Sequence, residues 1–121
     1  MTTATSDVLN PVDVENHIQS CSNRIAEGVR VVTQAEREAR AKRRAFDLEF
    51  AHAYKRAEGP AHERKYSAEI ESMPHREAAD IAEIAFKHAE RTAKALEKEL
   101  FAWQSINSNI RAMYGAAGVR T

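Results

Sequence analysis

Val14-Glu-Asn-His-Ile18-Gln-Ser-Cys21-Ser-Asn-Arg-Ile25-Ala-Glu-Gly28-Val-Arg-Val-Val32-Thr-Gln-Ala35-Glu-Arg-Glu-Ala39 decides the fold class. Its apolar and small residues fall at Val14, Ile18, Cys21, Ile25, Gly28, Val32, Ala35 and Ala39, in steps of four and three. That spacing keeps one face of an α-helix turned toward a neighbouring helix and leaves the rest of its circumference to charge. The pattern continues through Lys42 to Phe46, Phe50, Ala53 and Ala57, where two successive steps of four read as a stutter.

The start of this helix is written at Asn10-Pro11. Asn is a favoured N-cap and Pro a favoured first helical residue, while Asp13 and Glu15 sit where the helix dipole is positive. Gly59-Pro60 marks its end, because Gly suits the residue past a helix and Pro cannot continue the hydrogen-bond ladder. Ser72-Met73-Pro74 repeats the start signal, with Glu77 and Asp80 following. A second long helix is expected from there, with its seam at Ala78, Ala82, Ala85, Ala89, Ala93, Leu96, Leu100, Trp103, Ile106, Ile110 and Met113. Between Pro60 and Met73 the sequence predicts a short connecting helix or a loop, with Tyr66 and Ile70 turned inward.

These readings give an all-α fold, an elongated antiparallel helical hairpin resembling a coiled coil. The hairpin domain is expected over 10–114, after a disordered arm at 1–9 and before a flexible tail at 115–121. Phe46 to Ala57 should face Ala78 to Phe86, and Val14 to Ile25 should face Trp103 to Met113.

Composition agrees and narrows the function. A chain with 43% hydrophobic and 30% charged residues is not disordered by composition, and 18 basic against 18 acidic side chains argue against a surface wholly devoted to nucleic acid or anionic lipid. No apolar run approaches the roughly 20 residues of a membrane span, and no basic residue precedes Arg24, so neither a transmembrane helix nor a signal peptide is expected. Cys21 is the one cysteine, which favours a reducing compartment and a cytoplasmic location.

Chemistry-bearing motifs are sparse. Glu49-Phe-Ala-His52 has the Glu-x-x-His spacing of di-iron bundles, but those sites need a second copy and two further carboxylates. No Gly-rich phosphate loop, nucleophile elbow or Cys/His signature is present, so the reading is of a non-enzymatic protein with no cofactor and no metal site. The densest cationic cluster, Arg37, Arg40, Lys42, Arg43 and Arg44, suggests an anion- or nucleic-acid-binding face at Arg37, Arg40, Arg43 and Arg44. The competing reading is a solvated face laced by pairs such as Glu36 with Arg40 and Glu83 with Lys87. Trp103 and Tyr114 fit core packing better than stacking platforms.

Ile81, Ile84 and Phe86 lie beside the alanine seam and widen the apolar stripe beyond what one antiparallel helix covers. They are the candidate oligomer interface, with a dimer favoured. The other candidate cover is the segment from Pro60 to Met73, folded over them.

The layout Phe50-Ala-His-Ala-Tyr54-Lys-Arg-Ala-Glu-Gly59, then Glu63-Arg64-Lys65, then the alanine-rich helix ending Ala95-Leu96-Glu-Lys-Glu-Leu100-Phe-Ala-Trp-Gln104-Ser105 and Arg111, resembles small helical proteins of tailed bacteriophages over residues 45–114. The resemblance implies a binding or adaptor protein in the host cytoplasm, encoded near recombination and replication genes. It carries no residue-level role. A direct nucleic-acid binder and a structural component of the phage particle are the alternatives.

Overall fold

The computed structural model describes the backbone of residues 10–119 and the side chains of residues 10–115. The expected arm at Met1 to Leu9 lies outside the described residues. Two helices, α1 (Pro11–Arg56) and α2 (Ala61–Val119), account for all the described residues except Asn10 and the four-residue turn Ala57 to Pro60. The fold is an all-α helical hairpin.

Asn10 caps α1 as its sequence suggests. Its Oδ1 accepts a hydrogen bond from the Asp13 backbone N–H at 2.9 Å, and its carbonyl accepts from the Val14 N–H at 3.1 Å. The last bond of this ladder runs from the Ala57 N–H to the Ala53 carbonyl at 3.0 Å. Gly59 then takes φ 101°, a left-handed backbone that glycine alone adopts without steric cost. The Arg64 N–H, bonded to the Pro60 carbonyl at 3.0 Å, opens α2.

The sequence reading differs from the structure most between Pro60 and Pro74. There is no separate connecting helix or loop, and Pro74 does not start α2 but sits inside it. Proline removes a donor from the ladder, so the Ile70 carbonyl loses its partner four residues on. Ser72, read as part of a start signal, instead donates its hydroxyl to the Ala68 carbonyl at 2.7 Å. Ala53, Ala68 and Ser72 are fully buried, so the helical turns just before Pro74 are packed into the protein. Tertiary burial outweighs the local start signal here.

By compactness the chain divides into two units, where the sequence reading has one hairpin domain: residues up to Val29 with those from Thr92 onward, and Arg30–Arg91. In the first unit the helices run antiparallel, with Glu15 reaching Arg111 at 3.4 Å, Arg24 reaching Glu99 at 3.8 Å, and the His17 and Trp103 rings stacked at 4.1 Å. Glu15 with Arg111 and His17 with Trp103 fit the expected facing of Val14 to Ile25 with Trp103 to Met113, whereas Arg24 meets Glu99, nearer the turn. In the second unit Arg56 meets Glu71 and the Arg64 guanidinium lies 4.7 Å from the Tyr54 ring centroid. Phe46 to Ala57 therefore faces the part of α2 before Ala78, not Ala78 to Phe86. A turn of four residues, in place of the longer connection expected through Met73, slides the partner register toward the turn.

The α1 seam lies inward as read: Val14, Cys21, Ala39 and Ala53 are buried, and Ile18, Ile25, Phe46 and Phe50 are half-buried. The α2 seam follows a different track near the turn. Buried and half-buried positions step through Ala68, Ser72, Ala79, Ala82, Phe86, Ala89, Ala93, Leu96, Leu100 and Trp103, which fits a heptad phase in which Ala85 is exposed and Phe86 turned inward. Met113 and Tyr114 are exposed rather than packed, and α2 continues through Gly115 to Val119 instead of ending at Tyr114.

Candidate docking surface

The expected cationic face is partly neutralised by its own helix. Arg40 donates to Glu36 at 2.7 Å, Lys42 lies 3.7 Å from Glu38, and Arg43 lies 3.7 Å from Asp47 with its guanidinium 5.3 Å from the Phe46 ring centroid. These are the (i, i+4) pairs of a solvated helix surface, each of small energetic weight. Of the four proposed anion ligands, Arg37 and Arg44 make no ion pair among the described residues.

The Glu49 and His52 pair separates. Glu49 is half-buried and accepts a hydrogen bond from Arg56 at 2.9 Å, while His52 faces water. The same Arg56 nitrogen donates to Glu71 at 2.8 Å, so one guanidinium bridges the helices near the turn. The hydrogen bond to Glu71, then that to Glu49, raises the Arg56 pKa further above its ordinary range. Among the described residues no group of three His, Cys, Asp or Glu side chains is placed to hold a metal ion.

Cys21 is buried on the seam. Burial pushes its thiol pKa up, and the Glu99 carboxylate nearby adds to the shift, so the neutral and weakly nucleophilic form dominates. Trp103 is half-buried against His17 and belongs to the packing of its unit.

Of the three residues read as an oligomer interface, Ile81 and Ile84 face solvent, whereas Phe86 is half-buried and lines a shallow groove with Glu36, Ala39, Arg40, Arg43 and Glu83. Phe86 serves the seam between the helices. The segment 60–73, the other candidate cover, does not fold over Ile81 and Ile84 but is helically continuous with them. Tyr66 and Ile70, expected inward, point outward.

Continuity of α2 creates a surface that the sequence reading did not assemble. Tyr66, Ile70, Met73, Ile81 and Ile84 are 61, 74, 47, 62 and 68% exposed. With Ser72, Ala79 and Phe86 at heptad position a, these five occupy positions b, c and f, the ones a two-helix coil turns to water. From Tyr66 to Ile84 the helix rises about 27 Å at 1.5 Å per residue. The five fall in two clusters, Tyr66, Ile70 and Met73 and then Ile81 and Ile84, with the exposed Glu77 and Asp80 between them on the same outer positions.

Among the described residues no helix is long and apolar enough to cross a membrane. Comparison of the chain with protein-family models, with curated proteins and with solved structures gives no match.

Proposed function

We propose that this protein is a non-enzymatic helical binding or adaptor module that docks a helical partner along the outer face of α2. The observation carrying this reading is the line Tyr66, Ile70, Met73, Ile81 and Ile84, set on the side of α2 away from its seam. Within its two clusters, Tyr66, Ile70 and Met73 and then Ile81 and Ile84, the anchors follow the three- and four-residue spacing that an amphipathic helix offers to another helix. A cytoplasmic setting suits the single Cys21 thiol. The phage resemblance adds an accessory role in DNA recombination or replication, in which a module of this kind would couple other proteins.

A photo-reactive amino acid in place of Ile81 tests the reading in cells that express the protein. Covalent protein adducts are expected on irradiation, and they should disappear when Ile70→Glu and Ile84→Glu are added. Absence of adducts from Ile81 and equally from Ile70 would overturn it. The nucleic-acid alternative rests on Arg37 and Arg44, and a gel shift whose affinity falls steeply with salt, and falls further for Arg37→Ala with Arg44→Ala, would favour it instead.

A further inference from the structure

Two residues past each position of the α1 seam from Gly28 to Ala53 the helix has turned about 200°, so a second track runs along the outside of α1, opposite its packed face. Arg30, Arg37, Arg44 and Lys55 lie on that track, with Gln34, Ala41, Leu48 and His52 between them, and all are exposed. No carboxylate interrupts it over about 37 Å at 1.5 Å per residue. The carboxylates of the same stretch, Glu36, Glu38, Asp47 and Glu49, lie off the track, and each is paired with a cation that is also off it: Arg40, Lys42, Arg43 and Arg56. Arg37, Arg44 and Lys55 make no ion pair among the described residues. Residues 30–56 hold eight cations against four carboxylates, so this pairing leaves the positive excess on the outer track. In the α2 part of the same unit, residues 61–91 hold seven carboxylates against five cations. A polyanion is therefore drawn to α1 and repelled by α2.

We infer that the outer track of α1 is a binding edge for the phosphodiester backbone of duplex nucleic acid. It adds Arg30 and Lys55 to Arg37 and Arg44, and drops Arg40 and Arg43, whose charge is spent on the flanks. Guanidinium groups suit phosphate, since their forked donors meet two of its oxygens at once. The three arginines recur every seven residues, about 10.5 Å, which suits a straight rod laid on a curving backbone that it touches at intervals. The track carries no aromatic side chain on which an unpaired base could stack, and Gln34 and His52 are its only neutral hydrogen-bonding side chains. Backbone charge, rather than base identity or a single strand, is thus what it recognises. The inference does not rest on the docking line of α2, which is on the other helix. With both surfaces in use the chain holds a duplex on α1 and a helical partner on α2.

Fluorescence anisotropy tests the inference with labelled duplexes of about 30 base pairs, one of DNA and one of RNA, and with the separated DNA strand. With four phosphates neutralised and about 0.9 counterions released for each, duplex affinity should fall roughly 150-fold between about 50 and 200 mM salt. Arg37→Ala with Arg44→Ala should weaken binding at least tenfold at about 50 mM salt and make the salt slope shallower by about 2. Lys87→Ala with Arg91→Ala removes the same charge from α2 and should weaken binding less than about threefold. Both variants alter exposed side chains and should keep the circular dichroism spectrum of the parent. Binding of either duplex supports the inference, and a preference between them identifies the helix form that the track fits. Tighter binding of the single strand, equal losses in the two double variants, or no duplex binding at about 50 μM protein in about 50 mM salt would each overturn it. Duplex binding without adducts from Ile81 would leave this inference standing and remove the docking reading, and adducts without duplex binding would do the reverse.

Discussion

Replacing Leu96 and, separately, Phe101 by alanine asks whether burial position or side-chain size governs stability. Leu96 is 8% exposed on the α2 seam, and Phe101, five residues on in the same helix, is 69% exposed. Leu96→Ala removes three carbon groups at about 0.8 kcal/mol each, nearly all of it buried, or about 2.2 kcal/mol of transfer free energy. A partly collapsed cavity adds about 1 kcal/mol, for a total near 3 kcal/mol. Phe101→Ala removes a larger side chain, but with only about a third of it out of water the loss should stay near or below about 1 kcal/mol. With a urea slope of about 1.5 kcal/mol/M, the midpoint followed by circular dichroism should fall by about 2 M for Leu96→Ala and by under 1 M for Phe101→Ala. Equal shifts, or a larger one for Phe101, would refute the assignment of the inner and outer faces of α2.

Gly59→Ala should lower stability by about 1–2 kcal/mol in the same assay, since a Cβ at φ 101° is strained, and Gly59→Asn should cost less. Pro74→Ala should raise the melting temperature, by up to about 3 kcal/mol in free energy, because it returns the donor missing opposite the Ile70 carbonyl. The raised Cys21 pKa means the folded state holds its thiol proton more tightly than the unfolded chain. Stability contributed by this group is therefore full below the ordinary thiol value of 9.0 and declines as pH rises above it, a decline that Cys21→Ala should remove from unfolding curves measured between pH 8 and 10.5.

Much of the hairpin could be read from residue order because the signals in α1 agree with one another. Asn10, Asp13, the four-three spacing from Val14 to Ala39 and Gly59 all act locally or through one helix face, and each holds in the structure. Alanine is what defeated the reading of α2 near the turn. Ala78, Ala79, Ala82, Ala85 and Ala89 supply two heptad tracks at once, and alanine is small enough to suit either the seam or the surface. Only Phe86 separates the tracks, by filling the inner one. Pro74 misled in another way: a local rule about where helices begin lost to the burial of Ala68 and Ser72, which no local pattern encodes. The outer apolar line stayed hidden for the same reason, since Tyr66, Ile70 and Met73 align with Ile81 and Ile84 only when the helix passes through the proline.

The four-residue turn also orders the assembly of the molecule. Beside it, contacts such as Arg56 with Glu71 and Tyr54 with Arg64 close loops of 15 and 10 residues, while Glu15 and Arg111 stand 96 residues apart. Loop-closure entropy makes the near contacts the first to form and the distant ones the last unless the chain zips toward them. Yet the near end fully buries only alanine and serine beside the half-buried Phe46, Phe50 and Tyr54, and the distant end packs more large apolar groups, among them Val14, Ile18, Leu96, Leu100 and Trp103. Contacts that are quick to form are thus weakly rewarded, and the rewarding ones wait for the zipper. The folding barrier should sit late along it, with urea sensitivity concentrated in the folding rate rather than the unfolding rate.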